Sequence, residues 1–338
     1  MKEEKGRPAK IRLADHFQEF LRRAYIQWMT ICLGVASMTN AINYLGLADW
    51  RVPSAIFTAF IILAVFLRAL YLPGTFMKEL TSPAGMAAYQ TGVMSVYFMC
   101  VQLLKLDAPL AHAIWTVAFA CNLVLITLFL QQYVRKNFAF LALTPVWYLI
   151  FVGIGVAAIT GMQMDFNRLA LVVAIYAICA YAIMTPFMFI RVLGHDELHY
   201  KLQPTKAIMC AAPSVVYLGL NAAFPQVPFI AGLALFALSQ GFLFWFYSNI
   251  RIFSILPFCV TFASFTFPMG ISTMFLFVFR DNYFAPASLI YKGLTLVGGL
   301  EFIIACLVVL WVIWQFIVNS YWLWYGIGRR MEMQAEKE

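Results

Sequence analysis

Long apolar runs alternate with short breaks that carry charge, proline, asparagine or aspartate, and this alternation covers most of the chain. A bilayer crossing takes about 20 consecutive apolar residues, and breaks of that kind mark where one crossing ends and the next begins. The pattern predicts ten spans, near residues 25–47, 54–72, 84–105, 111–130, 145–163, 169–189, 206–224, 228–248, 257–279 and 292–318. Because the intervening loops are short, consecutive helices are expected to be antiparallel neighbours, giving five hairpins. The expected fold is therefore an all-α integral membrane protein. A basic cytoplasmic segment (1–24) precedes the membrane domain (25–325), and a cytoplasmic tail (326–338) follows it.

Within the hairpins the two members differ. Several odd spans carry small or hydroxyl residues at offsets of three and four, which fall on one helix face. Examples are Thr30, Gly34 and Ser37 in span 1, Thr91 in span 3, Gly153 and Thr160 in span 5, and Ser214 in span 7. Even spans are bulkier, although Thr116, Ala120 and Thr127 form a partial stripe in span 4. Such stripes also serve close helix packing; their recurrence in alternate spans favours an inner ring of odd helices around a narrow path. Pro213 and Pro268 are expected inside spans 7 and 9, where a missing N–H leaves a carbonyl tolerated only against protein or a water-filled cavity. Pro186, in even span 6, departs from that pattern, and Pro83 and Pro145 read as first-turn prolines.

Composition agrees with the span pattern: 63% of the 338 residues are hydrophobic and 11% charged, against about 25% charged in a soluble domain. The formal charge of +8 is scattered over loops and tails, which points to topology and away from nucleic acid. With both termini inside, 18 basic residues fall on the cytoplasmic side and five (Arg51, Lys105, Arg168, Arg280, Lys292) on the other. That asymmetry sets the expected orientation in the cytoplasmic (inner) membrane. The seven cysteines fall singly in apolar runs and read as reduced core side chains.

Several strings, in order along residues 45–280, resemble the tellurite-resistance/dicarboxylate transporter family: LDAPLAHAIW at 106–115, TPVWYLIFVGIGVAAITG at 144–161, TPFMFIR at 185–191, QPTKAIMCAAPSVVY at 203–217 and FASFTFPM at 262–269. That family includes bacterial TehA-like channels and the slow anion channels of plant guard cells. The resemblance implies a homotrimer with an anion pathway in each protomer, five inner helices lining each pore and a span-9 phenylalanine obstructing it. In the FTFPM string that phenylalanine is Phe267, with Ser264 one turn earlier and Pro268 next to it. Phe265, about 160° around the helix, is the internal control. Span 1 lacks the proline expected near its start.

Catalytic chemistry finds little support. The string HDELH at 195–199 spaces two histidines four apart, but a zincin motif needs Glu directly after the first, and Asp196 stands there. His16 and His112 are too few for a haem or di-iron centre. The expectation is no metal, no cofactor and no enzyme. Glu301 is the most suggestive charge, since intramembrane acids often relay protons. The apolar run at 302–318 nevertheless places it at the outer mouth. The expected inner ring holds no charge, and neutral hydroxyls suit an anion that must leave again. An anion channel is the leading reading, with proton-coupled efflux of a C4-dicarboxylate, sulfite or tellurite oxyanion as the alternative.

Overall fold

The computed structural model describes residues 13–136, 138–194, 198–251 and 255–335, and no strand occurs among them. Lys2, Lys5, Arg7, Lys10 and Arg12 of the basic segment, and His195, Asp196 and Glu197 of the HDELH string, lie outside the described residues. Helices α1 (Leu13–Arg23), α2 (Trp28–Tyr44), α3 (Arg51–Tyr71), α4 (Pro73–Leu80), α5 (Pro83–Leu103) and α6 (Ala108–Phe129) come first. They are followed by α7 (Val146–Phe151), α8 (Gly155–Gly161), α9 (Asn167–Leu193), α10 (Ile208–Ala223), α11 (Phe229–Ser248), α12 (Thr266–Tyr283) and α13 (Leu289–Ala335). A π-helical turn (Leu130–Lys136) extends α6, and 3-10 turns (Tyr200–Ala207 and Val260–Phe265) lead into α10 and α12.

Among the described residues, seven helical stretches are long and apolar enough to cross a membrane: Arg51–Tyr71, Ala108–Lys136, Asn167–Leu193, Tyr200–Ala223, Phe229–Ser248, Val260–Tyr283 and Leu289–Arg329. The other three expected spans coincide with α2, of only 17 residues, with α5, which carries Gln90, Thr91, Ser95 and Gln102, and with the broken pair α7 and α8. Local sequence explains the starts of two helices. Ser82 accepts the Gly85 N–H (3.0 Å) ahead of Pro83, and Asp107 accepts the Leu110 N–H (3.0 Å), both N-cap bonds that satisfy orphan amides.

Burial separates two layers. In Val260–Tyr283, 94% of the most apolar stretch is buried, whereas in Arg51–Tyr71 the share is 17%. The buried segments touch one another in a closed cycle: α2 on α5, α5 on α7 and α8, these on α10, α10 on α12, and α12 back on α2. Each remaining long helix lies across a seam of that cycle. Helix α3 covers α2 and α5, α6 covers α5 and α7, and α9 covers α8 and α10, while α11 covers α10 and α12 and α13 covers α12 and α2. Their free faces carry exposed Phe60, Leu63, Leu67, Ile183, Phe244 and Leu310, as lipid-facing helices do, since apolar surface costs nothing against acyl chains.

Three local expectations change. Span 5 is two short helices: the Val152 and Gly153 N–H groups both reach Tyr148 O (2.8 and 2.9 Å), and the Gly155, Val156 and Ala157 N–H groups then bond three residues back. A Cβ on Gly153 would stand 2.2 Å from Leu149 O, so this widened turn requires glycine. Pro268 is not in a helix interior but is the third residue of α12, where no intrahelical N–H bond is lost. The chain's change of helix type comes just before it, at the junction of the 3-10 turn with α12. Finally, helix extends beyond the expected membrane domain: α1 packs against the far part of α13, with His16 stacked on Trp324 at 4.1 Å, and α13 itself runs on to Ala335.

Candidate functional site

The C-terminal ends of all five buried segments converge on one open cavity of about 450 Å³. Its polar wall is a set of carboxamides, Asn40 and Asn43 from α2, Gln102 from α5, Gln163 just past α8, Asn221 from α10 and Asn282 from α12. Asn282 Nδ2 donates to Asn221 Oδ1 (2.6 Å) and Tyr217 Oη (3.0 Å), which fixes both amides. Among the described residues Arg51 is the one charged side chain in this wall. Asp49 holds it through Nε (2.8 Å) and Nη2 (2.6 Å), a bidentate pair. Those bonds keep the Asp49 carboxyl well below the usual carboxylate range. At the rim, Tyr44 donates to Asp281 (2.6 Å), whose other oxygen accepts from Arg280 (2.7 Å).

Nearer the N-terminal ends of the same segments the bundle tightens. Phe267, about 2% exposed, stands at a cavity of only about 10 Å³ with Tyr148, Leu149, Gly153, Ala211 and Val215. The space is of the order of one water. Thus the widened turn of span 5 and the ring of Phe267 meet at the narrow zone. Phe265 points elsewhere: it packs on Phe246 of α11 (5.0 Å between centroids) and on Phe262 (5.6 Å).

The residues anticipated as lining are distributed unevenly. Ser37 is in the wall of the large cavity and Gly153 in that of the small one. Thr30 and Thr91 bond to each other across α2 and α5 (2.9 Å), and Gly34 lies so close to α12 that a Cβ would meet Thr266 at 2.2 Å. Thr160 accepts from Trp115 Nε1 of α6 (3.1 Å) and donates to Val156 O. Ser214 donates to Cys210 O (2.8 Å) and lies 2.8 and 3.1 Å from Ser239 and Ser272. This hydroxyl cluster surrounds the turn that Pro213 weakens, beside a carbonyl whose partner the proline removes. Ser264 is buried in the 3-10 turn before α12. The small-residue stripes therefore provide helix contacts as much as cavity wall. The carboxamides are the part sequence reading missed, although their signal was there: an Asn or Gln closes every odd span.

Glu301 lies in the interior of α13. Helix α13 begins at Leu289, so the residue lies about 18 Å along its axis and is 7% exposed. Its Oε2 has no hydrogen-bond partner, nor does the Tyr247 hydroxyl of α11. Tyr247 and Cys210 both stand within reach of its charge. Among the described residues no group of three His, Cys, Asp or Glu could hold a metal ion.

A closed cycle of buried helices wrapped by long apolar helices, with a polar cavity at one end, has the architecture of a multi-pass membrane protein. The family description for the voltage-dependent anion channel (SLAC1) matches residues 23–318, most of the chain, and the chain belongs to that family. No curated protein matches it.

Proposed function

We propose that the chain passes small anions along the axis of the closed cycle and that Phe267 obstructs the path in the conformation described. The observation that carries this reading is that the same buried segments wall a carboxamide-lined cavity at their C-terminal ends and, nearer their N-terminal ends, a space of about 10 Å³ where Phe267 meets the Gly153 turn. A ring there blocks ions sterically and by excluding water. In this reading the chain crosses the bilayer ten times as five antiparallel hairpins, with odd segments inside and both termini in the cytoplasm. It resembles the TehA-like proteins, assembles as a homotrimer with one path per protomer in the inner membrane, and catalyses no reaction. The trimer is tested by crosslinking in mild detergent, which should give a three-chain species.

The path is tested in liposomes. Phe267→Ala is expected to raise anion conductance at matched protein levels without loss of folding. Phe265→Ala should leave conductance per molecule unchanged and lower stability by about 3–5 kcal/mol through lost packing. Equal conductance of wild type and Phe267→Ala would return Phe267 to an ordinary packing role. One observation favours a second reading, proton-coupled efflux of a C4-dicarboxylate, sulfite or tellurite oxyanion: the buried, unpartnered Glu301. Under it, Glu301→Gln abolishes the dependence of flux on a pH gradient; under the channel reading, reversal potentials follow the anion gradient alone.

A further inference from the structure

We infer that an open pocket where α1 meets the end of α3 and the start of α4 holds the headgroup of an anionic phospholipid, its phosphate between Arg22 of α1 and Lys78 of α4. The pocket encloses about 490 Å³, with Gln18, Tyr71 and Thr75 beside the two cations. That volume suits an organic headgroup, and a bare phosphate would leave most of it empty. The pocket shares no residue with either cavity of the proposed anion path. The inference therefore needs only that the chain lies in a bilayer.

Two observations converge on that occupant. The first is which cations at this end of the bundle are already spent. Arg68 gives Nη1 and Nη2 to Glu79 (2.9 and 2.7 Å) and Nε to Leu21 O (2.6 Å), and Arg23 donates to Glu19 at 2.6 Å. Glu79 also accepts from Tyr89 (2.7 Å), so its charge is fully engaged. Arg22, in contrast, is exposed and stands 3.8 Å from Glu19, while Lys78 is exposed and has no ion pair among the described residues. Among those residues no carboxylate belongs to the pocket wall. At the start of α4 the Thr75 and Phe76 N–H groups turn back to Leu72 O (3.0 and 3.1 Å) and Pro73 has none, which leaves the Gly74 N–H facing open space. Two free cations beside a hydroxyl and a carboxamide suit a phosphate group.

The second observation is what the pocket adjoins. Leu63, Leu67, Leu70 and Tyr71 share one face of α3, and each is more than half exposed. That stripe is a bed for an acyl chain, and it ends at the pocket, because Tyr71 belongs to both. A tyrosine at such a boundary sits at headgroup level. A soluble phosphate gains nothing from the stripe, whereas a lipid uses stripe and cations together. A headgroup with its own cation would set that charge against Arg22 and Lys78, so a lipid of net negative charge is selected.

The test uses the purified full-length protein in mild detergent, mixed micelles of phosphatidylglycerol and phosphatidylcholine as probe, and native mass spectrometry as readout. Wild type is expected to retain phosphatidylglycerol in preference to phosphatidylcholine. In Arg22→Gln/Lys78→Gln the half-saturation for phosphatidylglycerol should rise about tenfold or more, through lost charge-assisted contacts. That variant should melt as wild type does in lipid-free detergent, since both side chains are exposed. If it melts early, Lys78→Gln alone decides: a severalfold rise supports the pocket, and no rise overturns it. Leu67→Asn should weaken lipid retention with both cations in place. Arg329→Gln, which removes an exposed cation outside the pocket, should change nothing. Equal retention of the two lipids by wild type, or unchanged retention of phosphatidylglycerol in the double variant, overturns the site. Displacement of the lipid by inorganic phosphate at matched concentration would assign the pocket to a soluble anion and also overturn it. Binding is read directly here, so absence of anion current would defeat the conduction reading and leave this site standing.

Discussion

Substituting Gly34 by alanine tests the tightest seam of the inner cycle, where α2 meets α12. An added Cβ would lie 2.2 Å from both Cβ and Oγ1 of Thr266 and 2.9 Å from its carbonyl carbon. Carbon atoms in contact prefer about 3.5–4.0 Å, so the two helices must part by roughly 1.5 Å, because a Cβ position is set by backbone and cannot rotate away. Thr266 is itself held by its bond to Ala263 O at 2.8 Å. Overpacking of this kind costs about 1–3 kcal/mol, and more where backbone must move. The control is Gly299 in α13, where an added Cβ meets nothing within 4 Å. Alanine there should be neutral or stabilising by up to about 1 kcal/mol through helix propensity. Unfolding in mild detergent, followed by tryptophan fluorescence, should give opposite signs for the two. Removing the opposing Cβ with Thr266→Gly should recover part of the loss in Gly34→Ala, as coupled neighbours do. Wild-type stability in Gly34→Ala, or an equal loss in Gly299→Ala, would refute the packing argument.

Two further substitutions probe the ends of the bundle. Arg68, 5% exposed, bonds Glu79 through Nη1 (2.9 Å) and Nη2 (2.7 Å) and also donates to Leu21 O at the end of α1 (2.6 Å). Glu79→Gln strands a buried guanidinium and should cost about 3–5 kcal/mol, read by unfolding in detergent, with faster tryptic cleavage after Arg22 and Arg23 as α1 loosens. At the opposite end, the Asp49 carboxyl is held below its ordinary range by Arg51. Its stabilisation is therefore complete above the ordinary carboxylate pKa and is lost only as pH falls through the lowered value. The change in melting temperature caused by Asp49→Asn should then be the same at about pH 8 and about pH 5; a smaller change at the lower pH would contradict the pairing.

Much of this fold was legible in sequence because hydrophobic runs report helices directly. The small-residue stripes of spans 1, 3, 5 and 7 fall on segments that the structure buries, whereas the 94% burial of Val260–Tyr283 had no such stripe to announce it. What sequence could not resolve was the local course of the backbone. Pro268 reads the same whether it breaks a helix or opens one, and only the 3-10 turn ending at Phe265 decides between them. Hydropathy likewise does not show where a 47-residue helix begins, so the burial of Glu301 was not legible. The candidate site was half visible. Ser37 and Gly153 were found through the stripe argument, but Thr30, Thr91 and Thr160 spend their hydroxyls on neighbouring helices. Periodicity puts a residue on a face, and long-range contacts decide which neighbour that face meets. The carboxamides were passed over because Asn and Gln near helix ends look like ordinary loop punctuation.

All five buried segments present their C-terminal ends to the large cavity, so their N-terminal ends lie together at the opposite end of the bundle. Each helix carries the equivalent of about half a positive charge at its N-terminus and half a negative charge at its C-terminus. Lined up side by side, five such dipoles give the bundle a standing electric polarity that survives whatever voltage the membrane applies. On the proposed path, an anion entering from the N-terminal ends would be drawn in, while one entering through the cavity would first have to overcome the carbonyl ends. Any current through this bundle should therefore rectify: in identical salt on both sides, equal and opposite voltages would drive unequal flows, with anions passing more readily from the N-terminal ends.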